Sequence, residues 1–202
     1  MEGKEGCGLL AVRVIGSIAV VGIVVAASYW AFGSADAAAY RYGDLPVAWR
    51  FDYPIGKPDA EGFYNAQGFG DNFHLGEDWN AEGPANSDLG LPVHSVADGV
   101  VSLAEDKKGG WGNVVRVVHH IRVNRKSVWV ESFYAHLDEM LVKEGDVVRR
   151  GSPLGTIGDA HGAYLPHLHF EMRAVPDLPL GPGYSTVSDG YLDPSAFIDA
   201  HR

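Results

Sequence analysis

The chain is short of cysteine and of positive charge, and each shortage excludes a class of function. A single cysteine, Cys7, stands among 202 residues. It precedes a long apolar run, so the folded part can hold neither an internal disulfide nor a thiolate metal cluster, and any metal must be held by histidine and carboxylate. Lysine and arginine number 16 against 26 aspartate and glutamate, for a net charge of -10 and a pI near 5.2. No basic field gathers phosphates, so nucleic acid is not expected as a partner. A long amphipathic helical period is also missing, as is any reactive nucleophile motif. Hydrophobic residues at 46%, with 26 glycines and 11 prolines, give a folded composition with frequent turns.

One uncharged stretch, VIGSIAVVGIVVAASYWAF over residues 14–32, is long enough to span a bilayer, which takes roughly 20 residues. It lacks the polar face of a buried core helix. An uncleaved anchor and a cleaved signal segment are both open, since Ala35-Asp36-Ala37 offers small residues for a peptidase; the length favours the anchor. The reading is an anchor or signal over 1–32, a linker over 33–46 where small residues replace the apolar pattern, and one folded domain over 47–202, placed outside the cytoplasm. Cys7 lies before the run, where lipid attachment is unsupported.

Within the domain, Val93 to Leu103, Asn113 to Val123 and Ser127 to Ala135 are rich in valine and aromatics and read as strands. VVRVVHHIRV and VWVESFYAHL form a hairpin reversing at Asn124 to Ser127. In LVKEGDVVRRGSPLGTIGD, glycine turns separate very short apolar runs, so the sheet should bend sharply. The fold class is mainly β, with antiparallel sheets in a barrel-sandwich-like domain. The same segment looks like the turns of a lipoyl or biotinyl carrier domain, but no modifiable lysine sits at a hairpin tip, so it is a hint of fold alone.

Four of the nine histidines fall in FHLGEDW, YAHL and PHLHFE. On a strand, His167 and His169 project from one face while Leu168 and Phe170 enter the opposite, packed face. His74 and Asp78 have helical spacing, but Gly76 and its glycine-rich surroundings point to a loop that curls around a metal. Imidazole and carboxylate are good zinc ligands, and three protein ligands with a fourth position for water make a catalytic arrangement. Either cluster alone is weak, because paired histidines on a half-buried strand are commonly a hydrogen-bonded surface feature.

The order of pieces, HLGED, LPVHSVADGVV, GWGNVVRVVHH, YAHL, VKEGDVVRRG, LGTIG and PHLHFEMR, resembles the LytM and lysostaphin-type zinc metallopeptidase family, and YLDPSAFI is similar to its closing segment. That resemblance implies that His74, Asp78 and His169 bind one Zn2+ and that His136 and His167 are catalytic. It further implies a hydrolase cutting peptide cross-links of peptidoglycan, or else a non-catalytic module of the same type that binds the wall or activates another hydrolase. Every ligand of the motif is present, which counts against the second. On the reading of the residues, His167 is the general base and His136 stabilises the oxyanion or assists proton transfer, with the roles exchangeable. Glu171 is open between a partner for a ligand imidazole and a solvated carboxylate. His161 and Tyr164 are possible substrate contacts. His94, His119, His120 and His201 read as structural or solvent-facing. Two departures border the presumed cleft: Glu77 stands where an apolar residue is usual, and GDAHGAYLP replaces a small-residue loop. The oligomeric state is not legible.

Overall fold

The computed structural model describes residues 35–202; the apolar run over 14–32, and with it the anchor or signal reading, lies outside the described residues. Among the described residues no helix is long and apolar enough to cross a membrane.

Among the described residues ten strands follow one another: β1 Phe63–Gln67, β2 Glu77–Ala81, β3 Pro92–His94, β4 Gly99–Asp106, β5 Asn113–Val123, β6 Lys126–Met140, β7 Val147–Val148, β8 Pro153–Ile157, β9 Leu168–Arg173 and β10 Tyr191–Leu192. Among the described residues, two α-helices flank them, α1 Ala35–Tyr42 and α2 Pro194–Ala200. The strand pairs are antiparallel, and the main path runs β1-β2-β9-β6-β5-β4-β7. The expectation of a mainly β, antiparallel domain holds, but the sheet is not closed into a barrel. The reason lies in β6, whose residues 131–135 pair with β9 while Leu137 and Met140 pair with β8. The sheet therefore forks, and β8 carries β3 on the branch.

The expected hairpin is β5 with β6, closed by Asn124 at φ 50° and Arg125 at φ 66°. Two positive φ values define the turn type whose twist matches the flanking strands. The single run expected over Val93 to Leu103 is two strands instead, because the chain bends at Val96–Asp98, where Ser95 Oγ donates to the Ala97 carbonyl at 2.7 Å and Val96 N–H to Tyr134 at 3.1 Å.

Alternation along β9 divides the molecule. Leu168, Phe170 and Met172 enter the main core with Ile55, Val117 and Phe197, while His169, Glu171 and Arg173 share the other face. Helix α2 seals one end of that core with Phe197 and Ile198; Asp193 caps it by accepting from Ala196 N–H at 2.9 Å, and Pro194 takes the first turn. The stretch expected as a linker contains α1. Its alanines favour helix, and Tyr42 packs with Val118 and Trp129 against the sheet.

Candidate metal centre

Register brings the site together. Asp78 on β2 lies directly opposite His169 on β9, and His169 lies directly opposite Ala135 on β6. Opposed residues of an antiparallel pair project from one face, so Asp78 and His169 share a surface, and His136 follows next along β6. The β5–β6 register places one extra residue in β6 between Tyr134 and Leu137, and His136 there has φ 63°. A bulge of this kind re-aims a side chain. It turns the imidazole toward β9, at the point where β6 leaves β9 for β8.

His74 arrives from the loop before β2. Its backbone is tied to the coil over 178–190 by Leu75 N–H to the Gly183 carbonyl at 2.9 Å and Ser185 N–H to the Phe73 carbonyl at 2.9 Å. Gly76 is required for a reason of space. A Cβ there would stand 2.6 Å from the Phe170 carbonyl and 2.8 Å from Glu171 Cγ, so this loop can lie on β9 only without a side chain.

Three potential ligand atoms converge. His169 Nδ1 is 2.9 Å from Asp78 Oδ1, His74 Nε2 is 3.4 Å from the same oxygen, and the two imidazole nitrogens are 3.1 Å apart. A tetrahedral ion held at about 2.0–2.1 Å separates neighbouring ligands by about 3.3 Å, so the set fits such an ion. Among the described residues, His74, Asp78 and His169 are a group that could hold a metal ion. The opposite nitrogen of His169, Nε2, donates to Glu171 Oε1 at 2.9 Å. Glu171 is buried rather than solvated, which resolves its reading toward the imidazole partner. That bond keeps the Nε2 proton in place, so Nδ1, facing Asp78 and His74, is the nitrogen that can give up its proton to a metal.

The electrostatics follow. Burial alone would lower His169, but the Asp78 and Glu171 carboxylates on its two nitrogens hold it up at about 9. Burial pushes Asp78 upward, yet His169, His74 and His167 together bring it below its usual range. His74 is lowered, chiefly by burial. His136 is pushed down to about 3 by burial and by the neighbouring His169 and His167, so it is neutral at ordinary pH.

His136 and His167 stand with ring centroids 4.7 Å apart. His167 Nδ1 donates to the Leu165 carbonyl at 2.8 Å, and His136 Nδ1 to the Trp111 carbonyl at a longer 3.4 Å. Each bond leaves Nε2 as the lone-pair nitrogen; that of His167 lies 3.8 Å from Asp78 Oδ1. The five residues singled out in the sequence are thus gathered at one place, where Asp78, His136, His167 and His169 line a cleft of about 310 Å³.

The remaining expectations divide. Tyr164 lines the cleft, but His161 instead pairs with Asp106 at 3.1 Å. Glu77 does not border the cleft. It is buried on the other side of β2, accepting from the Trp79 indole at 3.0 Å and the Ser195 hydroxyl at 2.9 Å at the start of α2. His119 and His120 are structural: one bridges the Asp98 carbonyl and Ser132, the other bonds the Leu45 carbonyl and stacks on Trp129. Two wall residues carried no signal of their own in the sequence. Trp111 meets His169 edge to face, and Tyr184 stacks on His74 at 4.9 Å while donating to Gln67 at 2.9 Å. Tyr184 sits in aperiodic coil, where only the turn residues of GPGYS marked the place.

The chain is 41% identical to the cell division protein DipM of Caulobacter vibrioides over 87 residues, 43% of this chain and 13% of that protein. It is 37% identical to the peptidoglycan DD-endopeptidase ShyB of Vibrio cholerae over 84 residues, 42% of this chain and 18% of ShyB. The chain thus spans less than a fifth of either relative. Among solved structures, a putative peptidase M23 from Pseudomonas aeruginosa superposes with a TM-score of 0.51 at 27% identity, covering 83% of this chain and 59% of that one. Residues 72–182, from the loop before His74 to the wall beside Tyr184, match the description Peptidase family M23, and the chain belongs to that family.

Proposed function

We propose that the protein is a zinc-dependent endopeptidase that cuts peptide cross-links of bacterial peptidoglycan, with His74, Asp78 and His169 holding the metal and His136 and His167 handling protons. The observation that carries this reading is the convergence of three ligand atoms within 3.4 Å of one another beside two imidazoles that present Nε2. Zinc at this place supplies Lewis acidity, lowering the pKa of water toward about 7 and polarising a carbonyl.

The chain's own part is positioning and proton transfer. A peptide laid in the cleft meets Trp111, Tyr164 and Tyr184 but no lysine or arginine side chain in the lining, so the segment around the scissile bond is held by shape and backbone contacts. His167 keeps its Nδ1 proton on the Leu165 carbonyl and takes the proton of the attacking water at Nε2. The protonated imidazole then returns it to the leaving amine nitrogen. An oxyanion-stabilising role for His136 would need an N–H aimed into the cleft, and burial opposes the doubly protonated ring that supplies one while Nδ1 serves Trp111. The same burial opposes a proton added at Nε2, so His136 stays neutral, and its role on this reading is to assist the transfer by accepting a hydrogen bond at Nε2 that orients the attacking water beside His167. The domain, taken as 47–202, works outside the cytoplasm, tethered by the apolar run over 14–32, which is the support for that location.

A second reading is a non-catalytic module that binds the wall or activates another hydrolase; a relative named for cell division rather than for cleavage favours it. The two separate on purified full-length protein. The catalytic reading expects one zinc per chain and new peptide ends in digested wall material, with His74→Ala losing metal and cleavage and His167→Ala losing cleavage alone. A zinc-loaded chain that releases no peptides but stimulates a second hydrolase would establish the alternative.

A further inference from the structure

The face of β9 that carries His169 continues into a buried ionic chain, and that chain does not end inside the domain. Glu171 Oε1 holds His169, and its Oε2 accepts from Arg173 Nε at 2.7 Å. Arg173, fully buried, lies 4.2 Å above the Phe133 ring and reaches Glu131 Oε1 from Nη1 at 3.4 Å. Register dictates these neighbours, since Glu131 lies opposite Arg173 and Phe133 opposite Glu171. Arg116 Nε stands 3.8 Å from Glu131, so two buried carboxylates face two buried guanidinium groups. The second oxygen of Glu131 accepts from the Asp177 backbone N–H at 3.0 Å and the Ser102 hydroxyl at 3.3 Å. The Asp177 carboxylate in turn accepts from the Tyr42 hydroxyl at 2.9 Å and from Arg41 Nη1 at 2.9 Å, both on α1.

A buried ion cluster is weak evidence for a role in stability, because desolvating its charges consumes most of what their attraction returns, and apolar residues of similar volume commonly do as well. Here one end of the chain is a ligand imidazole and the other is the turn gripped by the N-terminal helix. We propose that Glu171, Arg173 and Glu131 are positioning residues that fix the orientation of His169, and that through Asp177 they couple the metal centre to the docking of α1, so that loosening this helix weakens metal binding. The inference rests on the reading that His74, Asp78 and His169 bind the ion. It gives the segment between the apolar run and the domain a purpose beyond spacing: a rearrangement on the N-terminal side of α1 is felt at His169.

The test is zinc affinity of the full-length chain, measured by competition with a fluorescent chelator, with near-ultraviolet circular dichroism as the check on folding. Arg173 variants risk misfolding because they strand two buried carboxylates. Asp177→Asn is the informative change, since asparagine tolerates the φ of 60° found there and only the carboxylate is altered. Glu171→Gln should weaken zinc about 10–100-fold. Asp177→Asn and Tyr42→Phe should each weaken it about fivefold or more, and Asp177→Asn should add little once Glu171 is already glutamine, the non-additivity expected of one network. Asp52→Asn, which breaks a surface pair with Arg150 at 2.7 Å, should leave affinity unchanged. Normal zinc affinity in Asp177→Asn and Tyr42→Phe, with Glu171→Gln weakened, would confine positioning to Glu171 and overturn the coupling. Fully additive losses would overturn it as well. Failure of the parent chain to bind zinc is a separate outcome, which removes the metal reading beneath the proposal.

Discussion

His119 shows how much a single imidazole can carry without touching the cleft. It is fully buried, donates from Nδ1 to the Asp98 carbonyl at 2.9 Å and accepts at Nε2 from Ser132 at 2.7 Å. Burial, opposed by the Asp98 carbonyl, pushes it down to about 4. The sign follows directly: the unfolded chain binds this proton near pH 6.5 and the native state only near 4, so stability contributed by His119 is complete above 6.5 and is lost as pH falls toward 4. The loss amounts to about 3 kcal/mol at most. Urea titrations at pH 7.5 and 4.5 should show the drop, and a slope unchanged in His119→Gln would contradict the assignment. In the cleft, His167→Ala should reduce turnover about 10²–10⁴-fold with zinc content unchanged, because its ring bonds the Leu165 carbonyl rather than sharing the three-atom convergence. The spacing of PHLHFE made His167 and His169 readable as two residues on one strand face. Sequence could not decide whether Glu171 met solvent or an imidazole, because that depends on what covers β9, and the cover is coil without period.

At the scale of elements, glycine and bulge placement decide whether the site closes. Gly76→Ala puts a methyl against the Phe170 carbonyl and the side chains of Glu171 and His169, so it should lower zinc affinity more than it lowers melting temperature. Equal affinity in the variant would show that the loop yields there at no cost. The β5–β6 turn offers the converse. Arg125 adopts φ 66°, a conformation costing roughly 1 kcal/mol for a residue with a Cβ, and Arg125→Gly should raise the melting temperature. A lower one would mean that the Arg125 side chain or chain entropy outweighs the strain. The hairpin was legible because alternation and turn chemistry agree. The bulge at His136 was not, since SFYAHL holds no glycine or proline to mark it while the backbone inserts one extra residue. The break after His94 escaped because Val93, Val96, Val100 and Val101 keep LPVHSVADGVV valine-rich on both sides of a bend that Ser95 and Tyr134 hold by hydrogen bonds to backbone.

Across the whole molecule, the open, forked sheet sets a packed apolar side against a side where histidines and charged groups share strand faces. The barrel-like expectation drew on glycine turns that do bend the sheet, but β6 divides its pairing between β9 and β8 and so prevents closure. Helix α1 was read as a linker because alanine-rich segments carry little pattern, and its docking depends on Tyr42, a residue that sequence alone gives no reason to bury. Family membership and the converging ligand atoms support the central proposal, that this chain hydrolyses wall peptides with its own metal and its own two imidazoles. The most direct test strips full-length protein with a chelator, restores zinc, and follows new amino termini released from purified peptidoglycan by mass spectrometry. The account predicts release that is lost on stripping, regained with zinc, and absent from zinc-loaded His167→Ala. A zinc-loaded parent chain that releases no new termini would contradict it.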